Sequence, residues 1–293
     1  MSDEWPQNGT GPFPAAVQAG KGTVPFAAEA NRRPGPFVWS WGAFGRCARA
    51  LGMVAAVTFV LAVVLGAIAP GLPAGVLAAV TSITFWPGEY LSGLVPFYLV
   101  ILLGNMKSAF LMALLGPLSV WINGGLNARE AAANGAVPNS RSLGHRAARV
   151  LASACIRLGT RVFPELGDET QEFTARSSAG LAAILPFLAL GLNGLVAGLW
   201  LANGLLTGWT AGLVHAFRQF LPHGPVEFTA LLLAAAAGLN GAWALLPRSP
   251  DQDAVWQKRA ARAWLTSDRT AQSLGLLIGL IAIAAALEMV SLV

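Results

Sequence analysis

The sequence predicts an all-α fold, a polytopic transmembrane helical bundle of about five spans with a short outer re-entrant or interfacial helix and cytoplasmic amphipathic helices. Three observations predict it. Only 11% of the 293 residues are charged and the mean hydropathy is +0.59, whereas a soluble domain carries about a quarter charged residues. Several apolar runs reach about 18 residues without a charge, the length that crosses hydrocarbon. These runs stay apolar on every face, which excludes the alternating strands of an outer-membrane barrel. The high glycine content, 33 residues, fits closely packed membrane helices.

Residues 1–42 are rich in Pro, Gly, Ala and polar side chains, a composition that predicts a disordered cytoplasmic tail. A secretory signal would place its apolar core nearer Met1. The tail leads instead into Trp39, Trp41, Arg46 and Arg49, an aromatic and basic anchor at a membrane surface. From there to residue 293 the chain reads as one helical membrane domain. Its first span is expected over Leu51–Ala69, stopped by Pro70, and the second over Leu94–Trp121, interrupted by Lys107. A polar cytoplasmic insertion over about 127–178 follows Asn123-Gly124. Apolar sequence returns over Gly180–Leu206, Trp209–Leu221 and Val226–Leu246, and a basic loop over 248–269 precedes the last span, Ala271–Val290.

The basic residues sort onto the tail, the insertion (Arg129, Arg141, Arg146, Arg149, Arg157, Arg161, Arg176) and the loop (Arg248, Lys258, Arg259, Arg262, Arg269). Cytoplasmic loops carry this excess, so an even number of crossings separates each pair of basic segments. Parity then forbids three full crossings between Gly180 and Leu246. Trp209–Leu221 is the shortest of the three pieces and is assigned to the outer surface or to a re-entrant path. The expected topology is multi-pass in the inner (plasma) membrane, with the N-terminus cytoplasmic and the C-terminus outside.

Within the insertion, Ser142–Phe163 gathers Arg146, Arg149, Arg157 and Arg161 on one helical face and Ala148, Leu151, Cys155, Leu158 and Val162 on the other. A basic amphipathic helix of this kind lies in the interface against anionic lipid. Val255–Leu265 reads similarly. The net charge of +5 is therefore explained by lipid and topology, and no nucleic-acid partner is expected. The expected partners are the bilayer and other membrane proteins. Cys47 and Cys155 fall on the cytoplasmic side without metal spacing, so neither a disulfide nor a redox role is expected.

Ionisable groups at membrane depth are costly and mark function or packing. Those that resist the charge sorting are Glu89, Lys107, His215, Arg218, His223, Glu227 and Glu288. The sharpest local feature is Leu221-Pro222-His223-Gly224-Pro225-Val226-Glu227. Its prolines stop one helix and restart another, and Glu227 then sits in the first turn, where the helix dipole favours negative charge. Lys107, Arg218, His223, Gly224, Glu227 and Glu288 form the candidate binding or structural polar cluster. A polar clamp between helices is the preferred reading of it, ahead of a site for ligand, proton or ion movement. Lys107 is expected to pair with Glu227 or Glu288, and Arg218 to meet lipid headgroups. One histidine with scattered carboxylates is thin evidence for a metal, so neither metal nor cofactor is expected. Asn105, Asn123 and Asn203, with Asn193 and Asn240, are assigned to helix packing. No Walker, HExxH or GxSxG pattern is present, so no catalytic residue is assigned and no enzyme is expected.

The segment Leu221–Gly238, LPHGPVEFTALLLAAAAG, resembles the Pro-His-Gly-x-x-Glu motif of integral membrane proteins related to stage II sporulation protein M. Asn105, Gly116, Pro117, Asn123 and Gly124 resemble that family's Asn…Gly…Asn-Gly helix, for which Asn203-Gly204 is an equal counterpart. Ala285-Ala286-Leu287-Glu288 resembles the acidic end of its last span. The resemblance implies an integral membrane subunit or scaffold of an envelope-associated complex. The family's namesake works with peptidoglycan-remodelling partners during engulfment. The alternative function is a transporter or channel-like protein whose polar path runs along His223, Glu227, Glu288 and Lys107.

Overall fold

A computed structural model describes residues 37–69, 71–84, 97–134, 143–249 and 252–291, and among these all regular structure is helical. The helices are α1 (Trp41–Ile68), α2 (Leu72–Thr84), α3 (Phe97–Asn134), α4 (Leu143–Gly159), α5 (Phe173–Phe220), α6 (Gly224–Ala244), α7 (Ala254–Leu265) and α8 (Asp268–Ser291), with a 3₁₀ turn at Pro164–Gly167. Local chemistry sets several of their starts. The Ser40 hydroxyl accepts from the Ala43 N–H at 3.2 Å to cap α1, and the Asp253 carboxylate accepts from the Trp256 N–H at 2.8 Å to cap α7. Pro225 occupies the first turn of α6, where its missing N–H costs nothing.

Among the described residues, five stretches are long and apolar enough to cross a membrane: Trp41–Ile68, Tyr98–Ile122, Phe173–Gly208, Gly224–Ala244 and Asp268–Val290. Their contacts fix how they alternate. Along the α1–α5 seam, a Cβ on Gly194 would lie 3.0 Å from the Leu51 carbonyl, one on Gly198 would meet Ala55 and Thr58, and Gly66 meets Leu206. Residue numbers rise together on both helices, so α1 and α5 run parallel. Gly116 of α3 faces Ala182 of α5, and Met112 and Pro117 of α3 face Gly238 and Gly241 of α6. Pro186 of α5 also packs on Gly238. Hence α3 and α6 run parallel to each other and opposite to α5. At one end Asn240 of α6 and Ser273 of α8 both bond Val38; at the other Glu227 meets Glu288. Thus α8 runs opposite to α6. The five long helices pass up, down, up, down, up, as the parity of the basic segments requires.

Helix α6 is the centre. Ala234, Ala235, Ala236, Ala237, Leu239 and Ala242 are each at most 1% exposed, so this stretch of α6 is closely packed against its neighbours. Small side chains let α3 and α5 approach at backbone distance, the packing mode that replaces hydrophobic collapse in lipid. Pro186 lacks the N–H that would bond the Ala182 carbonyl four residues back, and that carbonyl is the one facing Gly116, 3.0 Å from where a Cβ would stand. The two interior prolines, Pro117 and Pro186, fill the grooves over Gly241 and Gly238.

The segments that carry most of the arginines lie together at one end, here the basic end. Polar groups there are bonded closely. The Gln257 side chain is buried and its amide donates to the carbonyls of Ala175 at 2.9 Å and Leu245 at 2.8 Å. Thr270 donates to the Trp264 carbonyl at 2.7 Å, and the Glu172 carboxylate accepts from the Ala254 N–H at 2.9 Å. Arg248 lies over the Trp243 ring, 4.1 Å from its centroid. Burial pulls the Arg248 guanidinium below its ordinary pKa, and nearby Glu165 partly offsets this. Burial pushes the Cys155 thiol up, which keeps it protonated and unreactive.

Several sequence expectations change in detail. Trp209–Leu221, expected at the outer surface or on a re-entrant path, is continuous with the preceding span, since α5 runs to Phe220. A straight helix would hold residues 200 and 220 about 30 Å apart, yet the Trp200 and Phe220 rings are 6.2 Å apart, and Gly212 lies against the Gly204 carbonyl. The helix therefore doubles back between 204 and 212, and residues 213–220 return along it. Asn123-Gly124 does not end its helix; α3 continues to Asn134. Helix α2 lies between the first two expected spans, where no element is assigned from the sequence. Helix α7 packs on the bundle through Gln257, Ala261 and Trp264 instead of lying free in the interface. Helix α4 buries Cys155 and Ile156 but leaves Val150 and Leu151 69% and 67% exposed beside Arg149 and Arg157. Residues 37–40, assigned to the tail, are tied in by the two Val38 hydrogen bonds at 3.0 and 2.7 Å and by the stacked Phe37 and Trp39 rings. Residues 41 and 42 open α1, and residues 1–36 of that tail, with Glu89, lie outside the described residues.

Candidate functional site

The end opposite the basic end, here the distal end, is built where α5 returns, α6 begins and α8 finishes. Phe220 closes α5, and a two-residue turn, Leu221-Pro222, leads to His223, whose carbonyl accepts from the Glu227 N–H at 3.0 Å. This fixes Glu227 one helical turn beyond His223, on the same face. Gly224 has a specific reason to lack a side chain: the Phe220 ring rests where its Cβ would be. That ring also meets His223 edge-on at 6.0 Å, Phe228 at 5.4 Å and Trp200 at 6.2 Å. An aromatic wall therefore backs the imidazole and fixes its plane.

Helix α8 arrives antiparallel and brings Glu288 to this wall. One ring nitrogen of His223 and one carboxylate oxygen each from Glu227 and Glu288 lie within 4.8 Å of one another. All three residues are half-buried, and the Nδ1 atom of His223 is enclosed without a hydrogen-bond partner. Two carboxylates at that spacing repel by about 3 kcal/mol at an effective dielectric near 20 if both are charged. A shared proton or a cation removes that repulsion.

Of the residues singled out from the sequence, His223, Gly224, Glu227 and Glu288 are brought together. Lys107 is half-buried on α3, five positions before Met112, which faces Gly238. That register places Lys107 about 9 Å deeper than Glu227 along the bundle. Arg218 is exposed on the returning limb of α5, as is His215. Asn105 and Asn203 are half-buried at the α3 and α5 positions expected for packing, and the backbone of Asn123 continues α3. The Asn240 side chain, assigned to helix packing, donates to the carbonyl of Val38, which precedes α1, at 2.7 Å. Asn193 instead bonds the Ala189 carbonyl of its own helix at 2.8 Å. Sequence reasoning missed Gln257 and Phe220. No charge or motif marked them, since their roles depend on which backbone passes beside them.

The His-Gly-x-x-Glu turn opening α6 and the acidic residue closing α8 both fall in the part of the chain that resembles a recognised sequence family. Residues 173–290 match the family Stage II sporulation protein M. The SpoIIM match covers α5 to α8, including the whole candidate cluster, and starts after the Asn105–Gly124 stretch of α3. Among the resemblances read from the sequence, the SpoIIM region therefore holds His223-Gly224, Glu227, Glu288 and Asn203-Gly204. No curated protein and no solved structure matches the chain.

Proposed function

We propose that this protein is an integral membrane subunit, a scaffold within a cell-envelope-associated complex, without catalysis of its own. The observation that carries this reading is the sealed packing of α6. A framework this tight suits a rigid support more than a moving carrier. The SpoIIM match over α5–α8 supports a membrane-complex role. The basic end then faces the cytoplasm, by the excess of Arg and Lys on its segments. The exposed Val150 and Leu151 of α4, beside Arg149 and Arg157, suit a surface of anionic lipid. The distal end, with His223 and Glu288, faces outward, where envelope partners are met.

Gentle detergent extraction of the full chain, followed by identification of co-purifying proteins, tests the role. A stable stoichiometric partner is expected, and a chain that purifies alone under every mild condition overturns it. A second reading, a transporter or channel, draws on the half-buried Lys107 below the His223 cluster. It requires water to reach Lys107. Cysteines placed at Asn105 and Lys107 should resist an impermeant thiol reagent if the protein is a scaffold, and should label if a path exists.

A further inference from the structure

We propose that His223, Glu227 and Glu288 bind one divalent transition-metal ion of the zinc class, which clips the start of α6 to the end of α8. The inference needs no partner protein, so it stands apart from the scaffold reading. It replaces the expectation, drawn from a single histidine and scattered carboxylates, that no metal binds.

The ligand atoms already converge. Metal–ligand bonds of about 2.1 Å set ligand atoms about 3.4 Å apart in a tetrahedral site. The present spread of up to 4.8 Å closes by small side-chain rotations without moving either helix. Two helices supply the set, as in metal sites built into bundle cores, and the three protein groups leave a fourth position for water or another oxygen donor. The ligand chemistry selects the ion. An imidazole suits zinc, iron, nickel or copper, whereas calcium and magnesium take oxygen. Two carboxylates supply the charge that balances a dication.

The surroundings add an independent observation. The His223 Nδ1 atom is enclosed and unpartnered, and a buried imidazole nitrogen needs either a hydrogen-bond partner or a cation. The ring is held edge-on against Phe220, which itself seats on Gly224. Aromatic packing of this kind orients a ligand and shields the site from water. It also explains why Gly follows His here: a side chain at residue 224 would displace Phe220 and release the imidazole.

The full chain, carrying a histidine-free affinity tag, is purified in detergent, stripped with chelator, incubated with ZnCl₂ and freed of excess by gel filtration. About one zinc per chain is expected by elemental analysis, falling roughly tenfold or more in His223→Ala and in Glu227→Gln. Wild-type protein that retains less than about a tenth of an equivalent overturns the proposal, as does His223→Ala protein holding as much as wild type. If either variant fails to fold, Glu288→Asp, which keeps the charge and shortens one ligand, is read instead by its weakened zinc affinity. Unchanged affinity in that variant overturns the proposal. A separate readout uses the stripped wild type with CoCl₂. Visible d–d bands that vanish on adding equimolar Zn²⁺ are expected, and their absence overturns the proposal.

Discussion

The two ends of α6 contain polar groups in the same low-dielectric setting and treat them differently. At the basic end the buried amide of Gln257 meets two carbonyls, and Asn240 meets the Val38 carbonyl. Both amides there donate to backbone carbonyls, although one buried oxygen each of Glu165 and Gln171 nearby has no hydrogen-bond partner. At the distal end one ring nitrogen of His223 and one carboxylate oxygen each of Glu227 and Glu288 lie within 4.8 Å of one another, and His223 Nδ1 is buried without a hydrogen-bond partner. A satisfied polar network specifies packing, whereas a partly satisfied one invites an occupant. The two ends of α6 therefore differ in what meets what: amides meet backbone carbonyls at one, and titratable groups meet one another at the other.

Four experiments, with five substitutions, test this contrast. The largest effect is expected at the packed middle, from Gly238→Val. The new side chain runs into the Met112 carbonyl, a backbone group that cannot yield cheaply, and a loss of about 3 kcal/mol is expected. Thermal unfolding in detergent should show it, and an unchanged Tm would mean that α3 and α6 are not in backbone contact. Next is Gln257→Leu at the basic end. It strands the Ala175 and Leu245 carbonyls and should cost about 1–3 kcal/mol. Combined with Glu227→Gln, the two changes should add within about 0.5 kcal/mol, because the ends share no partners; coupling beyond that would join the two regions.

Lys107→Met comes third, expected to lower stability by about 1 kcal/mol if Lys107 reaches Glu227 or Glu288. Equal stability and assembly would sink that pairing. The smallest effect concerns pH at the basic end. The Thr170 side chain donates to Asp168 at 2.7 Å, and the Thr170 N–H and nearby Arg176 add to it, holding the Asp168 carboxyl below its ordinary pKa. A carboxylate with a depressed folded pKa stabilises above its unfolded pKa, and that contribution is lost as pH falls through the folded value. Amide exchange in residues 164–172 should accelerate below about pH 4, and Asp168→Ala should abolish that pH dependence.

Much of the architecture was legible because it rests on local properties. Span length, apolar runs and the sorting of Arg and Lys are read along the chain, and they gave five crossings with the basic segments at one end. The His223-Gly224 turn was legible through Pro222 and Pro225, which restrict the backbone wherever they occur. Less legible were the doubling back at Gly204–Gly212 and the short α2. Both lie in apolar sequence, where hydropathy gives length but not direction.

What the sequence alone determined is the class of protein, the alternation of its spans and the depth of its exceptional charges, because desolvation cost depends on residue type and position in a run. Only the tertiary structure decided which of those charges meet. Glu227 and Glu288 share a depth with other residues, but their contact depends on α8 lying against α6, and the orientation of His223 depends on Phe220 seating over Gly224. Depth is a property of one helix. Contact depends on the faces two helices present to each other, and small residues spread along several helices fix those faces only when the helices pack.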